Sequence, residues 1–167
     1  MINFSYTIKE GEHAGETLWS GRYCCVAGII LCHNGNQWTV LAMRRSDKCP
    51  DNKGLWCLPC GFLEANENGQ QGISRETLEE TNICIFPEDF KFITVETDPC
   101  IANKAHVTLF YGSVAKKMIE PYDSEESYEV SWIPITEVGE HVWAFHHEEY
   151  IYKYASYIRE LFQNSSK

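Results

Sequence analysis

The sequence predicts a single domain in which β-strands and α-helices are mixed. Two observations carry this prediction. Short apolar runs rich in β-branched residues recur along the chain, and they are interspersed with stretches whose composition favours helices. At 167 residues the chain is long enough to close one sizeable core, and it contains no stretch suited to a linker, so we expect one domain over residues 1–167.

The first predicted strands form a hairpin. Residues 23–31 and 38–43 are apolar runs, and Asn34-Gly35 between them is typical of a tight turn. Residues 46–54 follow the second run. They are polar, contain Pro and Gly and show no periodicity, so we expect a surface loop there.

The first predicted helix spans residues 70–81. This stretch contains no proline and several good helix formers, and Asn82 follows it at the position of a left-handed C-terminal cap. Strands are therefore expected before and after this helix in the chain. The remaining predicted elements are strands at 90–95, 106–115 and 128–133, an acidic loop at 120–126, a turn or helix at 134–137 and a final helix at 148–163.

The charge of the chain favours a small substrate over a nucleic acid. The net charge is -10 and the isoelectric point is near 5.0, whereas binding to nucleic-acid phosphates needs a basic face. An acidic protein can still bind a phosphorylated small molecule if a divalent metal ion supplies the positive charge. We therefore expect a small-molecule partner and no nucleic-acid partner.

The cysteine pattern predicts a reducing compartment. The eight cysteines are scattered through apolar runs, as at Cys24, Cys32 and Cys84, and lack the spacing of a compact secreted framework. Cys57 and Cys60 have the spacing of a zinc or redox pair, but a zinc site would need a second such pair. Neither a leader-like start nor an apolar run of membrane-spanning length is present. We expect mostly buried, reduced thiols, a cytoplasmic location and no membrane partner.

Three glutamates on the predicted helix are candidates for binding a metal ion. Glu76, Glu79 and Glu80 lie three and four residues apart, which places their carboxylates on one side of a helix. Ionised carboxylates repel one another unless a cation compensates them, and oxygen ligands at this density suit Mg²⁺, or Mn²⁺ in its place. The alternative is a solvated helix face on which Arg75 pairs with Glu79.

The residues around these glutamates form a longer pattern. Gly61, Glu67, Arg75 and the three glutamates have the spacing G-x5-E-x7-R-E-U-x-E-E-x-G-U, in which U is an aliphatic residue. This pattern is the Nudix box, and the chain resembles the Nudix (MutT-like) hydrolase family. Thr77 replaces an aliphatic residue and Asn82 replaces the last glycine. Neither departure touches a carboxylate.

The resemblance extends beyond the box and implies a fold and a reaction. Residues 54–61 look like the family's lead-in to the box, and residues 130–134 are similar to a strand and turn towards the family's C-terminal end. The implied fold is an α/β/α sandwich with a mixed β-sheet and a loop–helix–loop box. The implied reaction is divalent-metal-dependent hydrolysis of a diphosphate linkage in a nucleoside diphosphate compound.

The resemblance also implies roles for single residues. Arg75 would orient a glutamate through charge-assisted hydrogen bonds. The general base that takes a proton from water stays open: it is Glu76 or Glu79 on the helix, or an acid of the later loop such as Glu126. The implied metal ligands are the carboxylates of Glu76, Glu79 and Glu80 and the backbone carbonyl of Cys60.

Four positions are candidates for substrate contacts. Pro99 lies sixteen residues after the box, where a proline resembles the ADP-ribose pyrophosphatase branch of the family. Arg44 or Arg45 could meet a phosphate, and Phe62 is one of several aromatic residues that could stack on a base. ADP-ribose or a related nucleoside diphosphate sugar is the leading expectation. The alternatives are a nucleoside triphosphate or dinucleoside polyphosphate substrate, or a non-catalytic nucleotide-sensing module. A homodimer is compatible with the sequence.

Overall fold

The fold is built around a β-sheet with a helix on each face. The computed structural model describes residues 4–98, 106–116 and 126–164. The strands are β1 (Phe4–Thr7), β2 (Thr17–Ser20), β3 (Tyr23–His33), β4 (Trp38–Arg45), β5 (Trp56–Cys57), β6 (Cys60–Phe62), β7 (Lys91–Glu96), β8 (His106–Ala115) and β9 (Ser127–Pro134). The helices are α1 (Gly69–Thr81) and α2 (His147–Asn164), with 3-10 helices at Pro87–Asp89 and Ile135–Glu140.

The strand β3 is the centre of a mixed seven-stranded sheet. The strands follow the order β5-β4-β3-β8-β7, while β6 pairs with β3 and β9 pairs with β4. β3 runs parallel to β8 and antiparallel to β4 and β6. Residues 25–32 of β3 are all buried, which is typical of a strand covered on both faces. The predicted hairpin between β3 and β4 is confirmed.

Alternate residues of β3 pack against different helices. Val26 and Ile30 belong to the core cluster that includes Ile73 of α1. Ile29 belongs to a second cluster, which includes Ile151 of α2. Because neighbouring side chains of a strand point to opposite faces, the sheet lies between the two helices. The predicted α/β/α sandwich with a mixed sheet is therefore confirmed.

The helix α1 begins and ends with capping residues. The Asn68 side chain accepts hydrogen bonds of 3.0 Å from the backbone N–H groups of Gln70 and Gln71, and the Gln71 side chain accepts one from the Asn68 N–H. Asn82 adopts the left-handed conformation, with φ 55°, which confirms the predicted C-terminal cap. Thr77 is fully buried and donates its hydroxyl to the carbonyl four residues earlier, so both departures from the box pattern fit the helix.

The other predicted strands and the final helix are confirmed to within two residues at each end, the turn or helix predicted to start at 134–137 is the 3-10 helix Ile135–Glu140, and some elements were not predicted. β1 and β2 form a separate two-stranded hairpin, and β5 and β6 are too short to show a periodic pattern. Four of the seven described cysteines are buried, as expected for most of the thiols, whereas Cys84 is exposed between the buried Ile83 and Ile85. The predicted loop at 120–126 lies outside the described residues except for Glu126. No helix in the described part of the chain is both long and apolar enough to span a membrane.

Asn68→Ala is expected to destabilise the fold, because it leaves two backbone N–H groups at the start of α1 without their acceptor. The free energy of unfolding, measured by urea denaturation, should fall by about 1 kcal/mol. Asn66→Ala is the matched control, since Asn66 is exposed in the preceding loop, and it should change stability by less than about 0.5 kcal/mol. Equal losses in the two variants would contradict the capping role.

Candidate active site

One carboxylate of α1 is buried beneath the strand that precedes the helix. Glu80 is 5% exposed, and its Oε2 atom accepts a hydrogen bond of 2.8 Å from the backbone N–H of Cys60 on β6. Burial is the main reason why the pKa of Glu80 lies well above its usual value. The nearby Cys60 thiol and the carboxylates of Glu76 and Glu126 raise it further. Glu80 therefore lies in surroundings that disfavour its charged form.

Arg75 joins the other two carboxylates of α1 to the preceding loop. Its Nη1 atom donates hydrogen bonds to Glu76 at 2.8 Å and to Glu79 at 3.0 Å. Its Nη2 atom donates hydrogen bonds to Glu67 at 2.7 Å and to the carbonyl of Phe62 at 3.0 Å. These bonds hold the pKa of Glu67 below its usual value. Arg75 therefore fixes where the carboxylates lie relative to the loop.

The three glutamates do not form a uniformly solvated face. The Arg75–Glu79 pair that a solvated face predicts is present, and the Glu79 side chain is 58% exposed. The Glu76 side chain is only 13% exposed, and burial raises its pKa although Arg75 is bonded to it. Two of the three carboxylates are thus turned inward beside each other, where a cation would stabilise them.

Gly61 leaves room for the carboxylate of Glu76. A Cβ atom built at position 61 would lie 2.1 Å from Oε1 and 2.5 Å from Oε2 of Glu76. These separations are far below contact distance, so a side chain at this position would displace the carboxylate. The first glycine of the box pattern therefore has a steric reason in this chain.

Two adjoining cavities meet at the buried glutamate. The acidic cavity, of about 530 Å³, is lined by five glutamates and one cation, namely Glu64, Glu76, Glu79, Glu80, Glu126 and Arg75, together with residues 60–62. The apolar cavity, of about 330 Å³, lies next to it. The residues that line both cavities are Cys60, Gly61, Phe62, Glu80 and Glu126. A ligand held at the glutamates would therefore also reach the apolar cavity.

The donor atoms of the acidic cavity suit a hard divalent cation, since Mg²⁺ and Mn²⁺ prefer carboxylate oxygens. Within residues 4–98, 106–116 and 126–164, no three His, Cys, Asp or Glu side chains already form a metal-binding group. The contacts explain this, because Arg75 engages Glu76 and Glu79 while the Cys60 N–H engages Glu80. A bound cation would have to reorient these side chains. The predicted ligand set, including the Cys60 carbonyl, stays a prediction.

The structure separates the two arginines that were candidates for a phosphate contact. Arg45 is 7% exposed and lines the apolar cavity, where it pairs with Asp51 at 3.0 Å and lies 5.1 Å from the centre of the Phe145 ring. Arg44 is exposed and donates to the carbonyl of Gly54 at 3.0 Å. Among the residues described, Arg44 is not part of either cavity wall.

The remaining predicted site residues are distributed as follows. Phe62 lines both cavities and is 57% exposed. Glu126 also lines both cavities and lies near enough to Glu76 and Glu80 to raise the pKa of each. Glu126 thus joins the glutamates of α1 although it comes from a distant part of the chain. Pro99 lies outside the described residues.

His147, the first residue of α2, holds the segment between β5 and β6. No sequence pattern predicted this contact. The side chain is 2% exposed, and its Nδ1 atom accepts a hydrogen bond of 3.0 Å from the backbone N–H of Leu58. Burial lowers the pKa of His147 to about 3, and the charges of Arg45 and His146 lower it further. The neutral ring therefore anchors the segment that leads into β6.

Comparison with known proteins identifies the family. The family model of the NUDIX domain matches residues 23–154. A MutT-like protein of Streptomyces ambofaciens is 32% identical over 115 residues, which cover 69% of this chain and 66% of that protein. The NUDIX domain of Shewanella oneidensis NrtR, complexed with ADP ribose, has a TM-score of 0.73 at 21% identity. The match covers 83% of this chain and 90% of the NrtR chain.

A second structure with the same fold is a bifunctional NMN adenylyltransferase/ADP ribose pyrophosphatase of Francisella tularensis, complexed with AMP and a Mn ion. Its TM-score is 0.68 at 22% identity, over 83% of this chain and 42% of that one. The family model matches well over half of the chain and includes the box, so this chain belongs to the Nudix hydrolase family. The family predicted from the box residues is confirmed. The chain spans 66% of the length of its Streptomyces relative.

Mild acid is expected to destabilise the fold through His147. This side chain binds a proton near pH 6.5 in the unfolded chain but only near pH 3 in the folded protein. Because the unfolded state binds more protons between these values, the free energy of unfolding decreases as the pH is lowered through this window. Between pH 7 and pH 5, His147 alone should lower it by about 2 kcal/mol, as measured by urea denaturation at each pH.

His147→Asn is the control, because it keeps an acceptor near the Leu58 N–H but does not titrate. This variant should be less stable than the wild type at pH 7, since packing is lost around the smaller side chain. The change in its free energy of unfolding between pH 7 and pH 5 should nevertheless be smaller than in the wild type, by about 2 kcal/mol. If both proteins show the same dependence on pH, His147 is not its source.

Proposed function

We propose that this chain is a magnesium-dependent hydrolase that cleaves the diphosphate linkage between a nucleoside and another moiety. ADP-ribose, or a related nucleoside diphosphate sugar, is the proposed substrate. The observation that carries the proposal is that the acidic cavity adjoins the apolar cavity at Glu80. A diphosphate bound through a cation at the glutamates would have the apolar cavity beside it for one of its two organic groups.

Glu76, Glu79 and Glu80 would hold Mg²⁺, or Mn²⁺ in its place, and the Cys60 carbonyl would add a ligand beside Glu80. When bound, the metal would polarise a phosphoryl oxygen and favour ionisation of a water molecule. Arg75, which bonds Glu76 and Glu79 in this structure, would stay beside them and orient their carboxylates once a cation had reoriented the side chains. The Mn ion in the Francisella structure supports a cation of this kind on the fold.

The water molecule that attacks phosphorus must lose a proton to a carboxylate. Glu126 is the general base that we propose, because it lines both cavities and lies near Glu76 and Glu80. Glu76 and Glu79 are the alternatives. The oxygen of water bonds to phosphorus, the bond from phosphorus to the bridging oxygen breaks, and a nucleoside monophosphate and a phosphorylated remainder are released.

The choice of ADP-ribose is supported by the ligands of the structural neighbours. The NrtR domain is complexed with ADP ribose, and the Francisella protein is an ADP ribose pyrophosphatase complexed with AMP. In this chain, Arg45 and Phe62 line the cavity that such a substrate would enter. A nucleoside triphosphate and a dinucleoside polyphosphate are the alternatives.

The cysteines in the described part of the chain are free thiols, which supports a reducing cytoplasm as the location.

The direct test is turnover of a panel of nucleotides with Mg²⁺. We expect release of AMP from ADP-ribose, in preference to hydrolysis of a nucleoside triphosphate or a dinucleoside polyphosphate. Glu80→Gln should lower the rate by roughly a hundredfold or more, because it removes an anionic ligand from the proposed site. Glu137→Gln, an exposed residue outside both cavities, should leave the rate unchanged. Tight binding without turnover across the panel would contradict hydrolysis and favour a nucleotide-sensing module.

Gly61→Ala is expected to weaken cation binding. Its methyl group would occupy the position of the Glu76 carboxylate, 2.1 Å from Oε1. Displacing this ligand should raise the Kd for Mn²⁺, measured by paramagnetic resonance titration, by roughly tenfold to a hundredfold. Gly21→Ala is the matched control, because nothing lies within 4 Å of a Cβ atom at that position. The same Mn²⁺ affinity in both variants would argue against a metal site at Glu76.

A further inference from the structure

The apolar cavity contains chemical groups that cleavage of a diphosphate does not itself require. Its wall includes aromatic and imidazole rings, namely Phe62, His106, Phe110, Phe145, His147 and Tyr150. A flat aromatic ligand can stack on such rings, so this wall offers a base more contact surface than a sugar would use.

A row of four neighbouring residues crosses the sheet along this cavity. Phe62 of β6 is paired with Cys25 of β3, Cys25 with Thr108 of β8, and Thr108 with Glu96 of β7. All four line the apolar cavity. Because neighbouring strands lie about 4.8 Å apart, Glu96 is roughly 14 Å from Phe62 along the row. Glu96 therefore lies at the opposite end of the row from β6. That strand carries Cys60 and Phe62, which line both cavities.

The carboxylate of Glu96 is held in a defined position. One of its oxygens accepts a hydrogen bond from the Tyr150 hydroxyl, and the other accepts one from the backbone N–H of Asp98. The Tyr150 ring is stacked on Phe110, with ring centres 4.0 Å apart. These hydrogen bonds lower the pKa of Glu96, so the group is ionised near neutral pH and only accepts hydrogen bonds. A carboxylate has about four acceptor positions, so further N–H donors can bind to it.

Another part of the cavity wall is held in a strained conformation. Phe145 and His146 have φ values of 59° and 56°, which residues with a Cβ atom rarely adopt. The Phe145 ring is packed against the guanidinium of Arg45, and its centre lies 5.4 Å from that of the His147 ring. Strain of this kind persists where surrounding contacts enforce it, and it is concentrated at ligand-binding surfaces. Phe145 thus gives the cavity a firmly positioned aromatic face.

We propose that the apolar cavity binds the base of the substrate and that Glu96 selects bases with an exocyclic amino group, as in adenine. This inference rests on the proposed function, because it assigns the base of the same substrate. The amino group donates a hydrogen bond to the Glu96 carboxylate. A carbonyl oxygen at that position of the base, as in hypoxanthine, places two acceptors against each other, and the ring N–H beside it can reach the carboxylate only if the base shifts.

The test compares ADP-ribose with IDP-ribose, in which a carbonyl oxygen replaces the amino group of the base. The wild type should hydrolyse ADP-ribose with a kcat/KM roughly tenfold to a hundredfold higher. In Glu96→Gln the preference should fall below about threefold, because an amide can both donate and accept. Glu137→Gln should keep the wild-type preference. A wild type without preference, or a Glu96→Gln variant that retains it, overturns the proposal.

A comparison with ADP-glucose tests whether the cavity takes the sugar instead. If Glu96→Gln changes the ratio between ADP-ribose and ADP-glucose but leaves the preference between the two bases intact, the base-selecting role of Glu96 is wrong. If the ratio between the sugars is unchanged while the preference between the bases is lost, the assignment of the base to this cavity is supported.

Failure of the proposed function has a different signature from failure of this inference. If the wild type hydrolyses none of these compounds, calorimetric binding of AMP and of inosine monophosphate in the presence of Mg²⁺ replaces turnover as the measurement. A preference for AMP that is lost in Glu96→Gln supports selection of the base in a protein that does not hydrolyse. Equal binding of the two nucleotides, or binding of neither, overturns the inference.

Discussion

The hydrogen bond between the Cys60 N–H and the Glu80 carboxylate is the contact on which the site depends. Burying a carboxylate is costly unless hydrogen bonds and nearby positive charge compensate it. The 2.8 Å bond from Cys60 can form only if β6 passes over the last turn of α1. Because β6 is in turn paired with the central strand β3, the register of this pairing positions the helix and its carboxylates. Arg75 of α1 ties the helix to β6 a second time, by donating a hydrogen bond to the carbonyl of Phe62.

The central strand also explains why two unlike cavities lie side by side. One face of β3 packs on α1, which carries the glutamates, and the other packs on α2, whose first residue is His147. Residues 58–60, which lead into β6 and include its first residue, are tied to α2 by the bond from Leu58 to His147 and to α1 by the bond from Cys60 to Glu80. These residues therefore contact both helical layers. The acidic and the apolar cavity lie on either side of residues 60–62, which line both.

The sequence predicted those features that depend on neighbouring residues in the chain. The extent of α1 was predictable because its composition and the capping residue Asn82 are local signals. The contact from Leu58 to His147 joins residues that are 89 positions apart, and local patterns carry no information on such pairs. The same holds for Glu96, whose place in the cavity depends on the register of β7 with β8. β4 is buried on both faces, so no alternation of polar and apolar residues distinguished Arg45 from Arg44.

The balance of charge at the two cavities makes cation binding and substrate binding depend on each other. Among the described residues of the two walls, the positively charged side chains are Arg45, Lys48 and Arg75. Arg45 is paired with Asp51, and Arg75 with three glutamates. A diphosphate that approached these carboxylates alone would therefore meet net repulsion. A divalent cation between them would remove this repulsion for the protein and for the diphosphate alike, and linkage would then require each of the two ligands to raise the affinity for the other by the same factor.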